Sequence, residues 1–131
     1  MRQCLRLIGL AAILLLAGPG CGQESKFHQV DGTVTWNGAA VADGEIIFIP
    51  EEKEFGADAS KIKDGKYSLK AREGKKRVEI RATRPVPGKL GPMGEPAIED
   101  FIPEEYNDKS TLSADISKDK KNFDFPLTDK K

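Results

Sequence analysis

The chain has 131 residues, with 21 Lys and Arg against 21 Asp and Glu, one histidine and two cysteines. That even balance and an aromatic content of 7% leave neither a basic stripe nor a set of stacking rings, which excludes nucleic acid as an expected partner. Both cysteines, Cys4 and Cys21, lie near the N-terminus, so no disulfide is expected to brace the rest of the chain, and His28 alone cannot complete a zinc site.

Residues 1–20 read as a secretory signal. Arg2 and Arg6 form a basic start, Leu7 to Ala17 ("LIGLAAILLLA") a short apolar run, and "GPGC" a turn-prone end. The run is too short and wrongly flanked for a membrane-spanning helix. Removing these residues takes two of the 21 basic groups and no acids, which leaves 19 against 21 and a formal charge of −2. Cys21, followed by the polar "GQESK", resembles the lipobox of bacterial lipoproteins, with Gly18 where an aliphatic residue is usual and Pro19 next. That resemblance implies a diacylglyceryl group and a further acyl chain (palmitate) on Cys21, hence export and a membrane anchor. Gly22 is similar to the residue found in lipoproteins of the outer membrane or cell surface. Secretion without lipid is the alternative. Each buried acyl methylene contributes about 0.8 kcal/mol, so several chains on one cysteine would hold permanently. Residues 21–28 then form a lipidated tether, and residues 29–131 one small domain.

From residue 29 the chain alternates. Val30, Gly32, Val34 and Trp36 share one face of a half-buried strand, and Asn37-Gly38 supplies a tight turn. Gly44 to Pro50 is a second strand with Ile46 and Phe48 on one side and Ile47 and Ile49 on the other. The Ile47/Ile49 face is either covered by the long segment 84–103 or part of an exposed interaction patch. "ADASKIK", Asp64-Gly65 and "KYSLK" read as a hairpin with Tyr67 and Leu69 inward. "KKRVEIRAT" follows, with Val78, Ile80 and Ala82 inward. Arg72 to Arg77 ("REGKKR") reads as a solvated basic turn. Residues 84–103 are rich in proline and glycine and lack periodicity, which predicts a crossover or flap outside the sheet. Leu112, Ala114 and Ile116, then Phe123, Phe125 and Leu127, mark two last strands, with Pro126 at an edge.

The stretch "FIPEEYNDKSTLSADI" (Phe101 to Ile116) supports three readings. A calcium site would draw on Glu104, Glu105, Asn107 and Asp108 with Glu99 and Asp100, but hard cations need six to eight oxygens, and the spacing matches no calcium loop. A catalytic pair of Glu104 and Glu105 would point to opposite sides of an extended segment. A structural corner would use Ile102 and Tyr106 as anchors, Pro103 as a stiffener and Asn107-Asp108 as the turn. The corner is the expected role. No catalytic residue, metal or cofactor is expected.

About seven short strands with turn signals between them predict an all-β, antiparallel, transthyretin-like or Ig-like β-sandwich. The order of pieces resembles carboxypeptidase regulatory-like domains. "VDGTVTWNGAAVADGEIIFIP" is similar to their opening strands, "DGKYSL" to their D-G-x-[YF]-x-[LI] hairpin, and "GKKRVEI" to a later strand in which Lys76 stands in place of the usual aromatic. "IPEEYNDKSTL" and "NFDFPL" are similar to the end of small bacterial lipoproteins that carry this domain. The resemblance spans about residues 29–127 and implies a fold, a location in the envelope and a non-catalytic domain. The expected role is a monomeric binding or scaffolding module. Its partner would be an envelope protein or a glycan, met by residues 84–103, Ile47, Ile49 and Tyr106. A carbohydrate-binding module, using Tyr106, Phe55 and Phe101 as exposed rings, is the alternative. A hydrolase built on His28, Glu99, Glu104, Glu105 and Asp108, and a passive envelope protein, are the others.

Overall fold

The computed structural model describes residues 26–129. Residues 1–20, read as a signal, and Cys21 therefore lie outside the described residues. Nine strands lie among the described residues: β1 (Phe27–Trp36), β2 (Ala39–Ala40), β3 (Asp43–Pro50), β4 (Asp58–Lys63), β5 (Lys66–Arg72), β6 (Gly74–Leu90), β7 (Pro96–Asp100), β8 (Ser113–Ile116) and β9 (Phe125–Leu127). Among the described residues the only helical element is a 3-10 turn, Glu104–Tyr106. The expected all-β class is what the chain adopts.

The strands make one curled sheet in the order β2-β1-β5-β4-β3-β6-β7, with β8 on β6 and β9 on β1. Every pairing is antiparallel except β1 with β9, which run parallel from Val34↔Phe125 to Trp36↔Leu127. The turns follow from local chemistry: Asn37 (φ 49°) with Gly38 (φ 85°), and Asp64 (φ 51°) with Gly65 (φ 74°), supply the positive φ that tight hairpins need. Beyond its single matched pair, Lys63↔Lys66, the β4–β5 hairpin splays, so the sheet opens between these strands.

The alternation read from the sequence sets the core. Val30, Val34, Ile46, Phe48, Tyr67, Leu69, Val78, Ile80, Ile116, Phe123 and Phe125 are buried, and Val41, Ile62, Ala71, Ala82, Ile102, Tyr106, Ala114 and Leu127 join them. Trp36 and Leu112, expected inside, pack only against its margin. The two ends of the curl meet through rings: Phe125 lies 6.5 Å from Phe48 and 6.4 Å from Tyr67. The Tyr67 hydroxyl donates to the Phe123 carbonyl at 2.6 Å across the same contact. Gly32 is required there, because a Cβ at that position would stand 1.8 Å from the Phe123 carbonyl oxygen and 2.7 Å from the Tyr67 hydroxyl.

The segment 84–103 departs from expectation. Instead of leaving the sheet, β6 continues to Leu90 and pairs with β7 through Thr83↔Asp100, Arg84↔Glu99, Pro85↔Ile98 and Leu90↔Pro96. Two strands have two outer edges, so prolines fit this arm without breaking a central ladder. The ladder is irregular between Pro85 and Leu90, and the tip closes with a Gly91 N–H bond to the Glu95 carbonyl at 2.7 Å.

The N-terminal boundary also shifts. Phe27 and His28, read as tether, already belong to β1 and pair with Arg72 and Ala71.

Candidate interaction surface

Strand direction gives the molecule two poles. At one, β1 begins at Phe27 beside Arg72, and the Glu73 N–H donates to the Lys26 carbonyl at 2.8 Å. At the other, β1 ends at Trp36, nine residues on, or about 30 Å at strand rise. The β6–β7 arm starts level with that second pole, since Trp36, Val41, Asp43, Thr83 and Arg84 share one groove. The arm therefore extends away from the point where the chain enters the fold.

That groove is the clearest apolar surface feature. It encloses about 430 Å³ and is lined chiefly by Trp36, Ala39, Val41, Pro85, Ile98 and Phe101. Phe101 meets Trp36 edge-on at 6.0 Å, and the Arg84 guanidinium lies 5.2 Å from the Phe101 ring while pairing with Glu99 at 2.8 Å. The arm itself exposes Ile98 (67%), Leu90 (71%) and Met93 (93%). Large apolar side chains gathered on one projecting hairpin are the kind of patch that contacts another molecule.

Tyr106 is not part of this surface, contrary to its expected place there. It is buried, edge-on to Trp36 at 6.3 Å, and its hydroxyl donates to the Thr128 carbonyl at 2.9 Å. The corner reading describes it instead: Ile102 is buried beside it, and the Asn107 amide donates to the Ile102 carbonyl at 3.2 Å. Ser110 completes the corner by donating to the Val78 carbonyl.

Ile47 and Ile49 are half-buried. Directly opposite them on the same face of β6 stand Glu79 and Arg77. Glu79 is itself buried, between Arg77 at 2.8 Å and Arg81 at 3.3 Å. A row of paired charges therefore adjoins the two isoleucines, while much of the segment expected to cover them is paired within the arm.

The acids weighed as catalytic or metal groups are distributed over separate partners. Asp108 binds Arg81 at 2.5 Å, Glu104 binds Lys109 at 2.6 Å, Glu99 binds Arg84, and His28 contacts Glu73 at 2.7 Å. The Asp108 carboxylate beside Arg81 raises the guanidinium's affinity for its proton, and His28 holds Glu73 below the usual carboxylate range. Glu104, Asp100 and Asp108 share a small cavity with Arg81. Among the described residues no three His, Cys, Asp or Glu side chains are grouped to hold a metal ion. Of the rings proposed for a glycan, Tyr106 is buried, Phe101 packs on Trp36, and Phe55 lies 3.9 Å beneath the Arg72 guanidinium.

The burial of Lys76 was not anticipated from the sequence. Lys76 is 2% exposed, whereas the "REGKKR" cluster was expected to be solvated throughout. Its parity with Val78, Ile80 and Ala82 already placed it on the inward face.

Comparison of the chain with known protein families, curated proteins and solved structures gave no match.

Proposed function

We propose that the protein is a lipid-anchored, exported β-sandwich that serves as a non-catalytic binding or scaffolding module, presenting its β6–β7 arm to another envelope protein. The observation that carries this reading is polarity: the exposed apolar arm and its groove stand at the pole opposite Lys26, five residues after the proposed lipid site, Cys21. A tether at one end and a contact surface at the other suit a molecule that reaches outward from a membrane.

The sandwich architecture is supported by the opening between β4 and β5, which divides the strands into a β2-β1-β5 group with β9 and a β4-β3-β6 group with β8. Phe48 and Phe125 then meet between the two groups, as side chains of facing layers do. A transthyretin-like arrangement of the carboxypeptidase regulatory-like type fits that division.

A protein other than a second copy is the favoured partner. The free edge of β7 carries Glu99 and Asp100, with Glu95 just before it, so pairing two copies there would bring like charges together. A glycan remains the second reading because Trp36 and Phe101 both line the groove.

The test is photocrosslinking in cells from Leu90, Met93 and Ile98, together with mass spectrometry of the mature N-terminus. Acylated Cys21 and one recurring crosslinked protein, lost in Leu90→Ser/Met93→Ser, is the expected result. Recovery of abundant bystanders alone would favour a passive envelope protein. An unacylated N-terminus elsewhere would remove the anchor, and glycan capture abolished by Trp36→Ala would replace the protein partner.

A further inference from the structure

At the pole opposite the arm lies a cavity of about 210 Å³ lined by three basic residues, Arg72, Lys75 and Lys76, and three acidic ones, Glu51, Glu52 and Glu73, together with Pro50, Phe55 and Gly74. Lys76 is the unusual member. It sits on the inward face of β6 in register with Ala114 of β8 and Pro50 of β3, and only 2% of its surface is exposed. Among the described residues its ammonium has no hydrogen-bond or ion-pair partner, yet no buried side-chain nitrogen or oxygen there lacks both partner and solvent. Nζ therefore keeps a small opening to solvent, and Lys76 is one of the residues lining this cavity.

A buried ammonium without a partner is costly, and proteins ordinarily supply it with an acceptor. The neighbouring charges are otherwise directed. The Glu73 carboxylate is taken by His28 at 2.7 Å, Asp58 accepts the Arg72 backbone N–H at 3.3 Å, and Glu51 and Glu52 are exposed. The Arg72 guanidinium lies over the Phe55 ring at 3.9 Å and 5.0 Å from the Phe27 ring. Asp58 and Glu52 favour the charged form of Lys76 while Arg72 opposes it, and burial outweighs them, drawing the ammonium below the ordinary lysine range. An incoming oxyanion would reverse that balance by giving Nζ the acceptor the fold withholds.

We propose that this cavity binds a phosphate group, with Lys76 as its principal ligand and Lys75 at its mouth. A lysine recognises charge rather than a planar fork, which suits a compact phosphate better than the two-oxygen edge of a carboxylate. The phosphate could come from a free phosphorylated solute or from a lipid headgroup. The second source is geometrically open: Glu73 of the cavity lining donates its N–H to the Lys26 carbonyl, and Cys21 is five residues upstream, at most about 18 Å of extended chain. The site is independent of the arm, so its failure would leave the docking reading untouched.

The experiment is titration of the purified full chain with inorganic phosphate, against sodium chloride and acetate at equal ionic strength, followed by amide NMR and thermal unfolding. Saturable shifts confined to Glu51–Phe55 and Gly74–Lys76, with a rise in Tm, are expected. Lys76→Met should weaken the response by about 10-fold or more, and Lys75→Gln by less. Equal responses to acetate, or shifts spread evenly over surface lysines, would overturn the assignment, and this holds on the wild type alone should Lys76→Met fail to fold. Vesicle flotation with the Cys21→Ser chain separates the sources. Lys76-dependent flotation on phosphatidic acid but not phosphatidylcholine assigns the headgroup, and phosphate binding without flotation assigns the free solute.

Discussion

Tyr106 offers the sharpest test of how the last third of the chain is held. Its ring packs edge-on to Trp36 at 6.3 Å, and its hydroxyl bonds the Thr128 carbonyl at 2.9 Å, just past β9. Tyr106→Phe keeps the ring and removes one partly buried neutral hydrogen bond, a loss of roughly 0.5–1.5 kcal/mol. Tyr106→Ala also removes a buried ring against Trp36 and should cost about 3–5 kcal/mol. For a domain of this size each kcal/mol lowers Tm by about 4–8 °C, so the two variants separate well beyond error. Trp36, the only tryptophan, is in direct contact and reports the transition by fluorescence in urea. The reasoning fails if Tyr106→Ala unfolds within about 1 kcal/mol of wild type, because a strut cannot be that cheap to remove.

Other perturbations follow from the same contacts. Gly32→Ala places a methyl 1.8 Å from the Phe123 carbonyl oxygen, so it should destabilise by about 3 kcal/mol or more in urea denaturation, and a loss under 1 kcal/mol would mean the β1 crossing is misplaced. A double-mutant cycle on Arg81 and Asp108, whose side chains are 42% and 67% exposed, should give a coupling of only about 0.2–1 kcal/mol, reduced further in high salt. Lys76→Met should stabilise the unliganded protein at pH 7 by roughly 1–3 kcal/mol. Burial lowers the lysine's folded pKa beneath its unfolded one, so the wild-type penalty is complete below the folded pKa and fades as pH rises toward the unfolded value. The variant's advantage in urea should shrink accordingly between pH 7 and the ordinary lysine pKa, and an advantage that grew with pH would contradict the burial argument.

The sequence made the hairpins and the core legible because both rest on local rules. Asn37-Gly38 and Asp64-Gly65 announce their turns, and alternation put Val30, Val34, Ile46, Phe48, Tyr67, Val78 and Ile80 inside without reference to any partner strand. The arm was hidden because Pro85, Pro87 and Pro96 signal interruption, and a two-stranded ribbon tolerates them only by virtue of its free edges, a property of topology. Trp36 matched the inward register but sits where the layer ends, so parity alone overstated its burial. Lys76 was the opposite case: parity placed it inside, and its charge led the reading out to solvent. The corner at Tyr106 was legible as structure, whereas no local pattern could show that its hydroxyl closes on Thr128 twenty-two residues later.

The parallel pairing of β9 with β1 has a bearing on how the chain reaches its final state. Thr33 donates both its N–H and its hydroxyl to Asp124 at 2.9 Å, and Val34 aligns with Phe125, so β1 is completed by a segment 91 residues further along the chain. Until those residues are available, one side of β1 and the inner faces of Phe48 and Tyr67 lack their closing partner. Such contacts between distant parts of the sequence form late and slowly. A chain built this way stays open during synthesis and closes only once the β9 segment has been released.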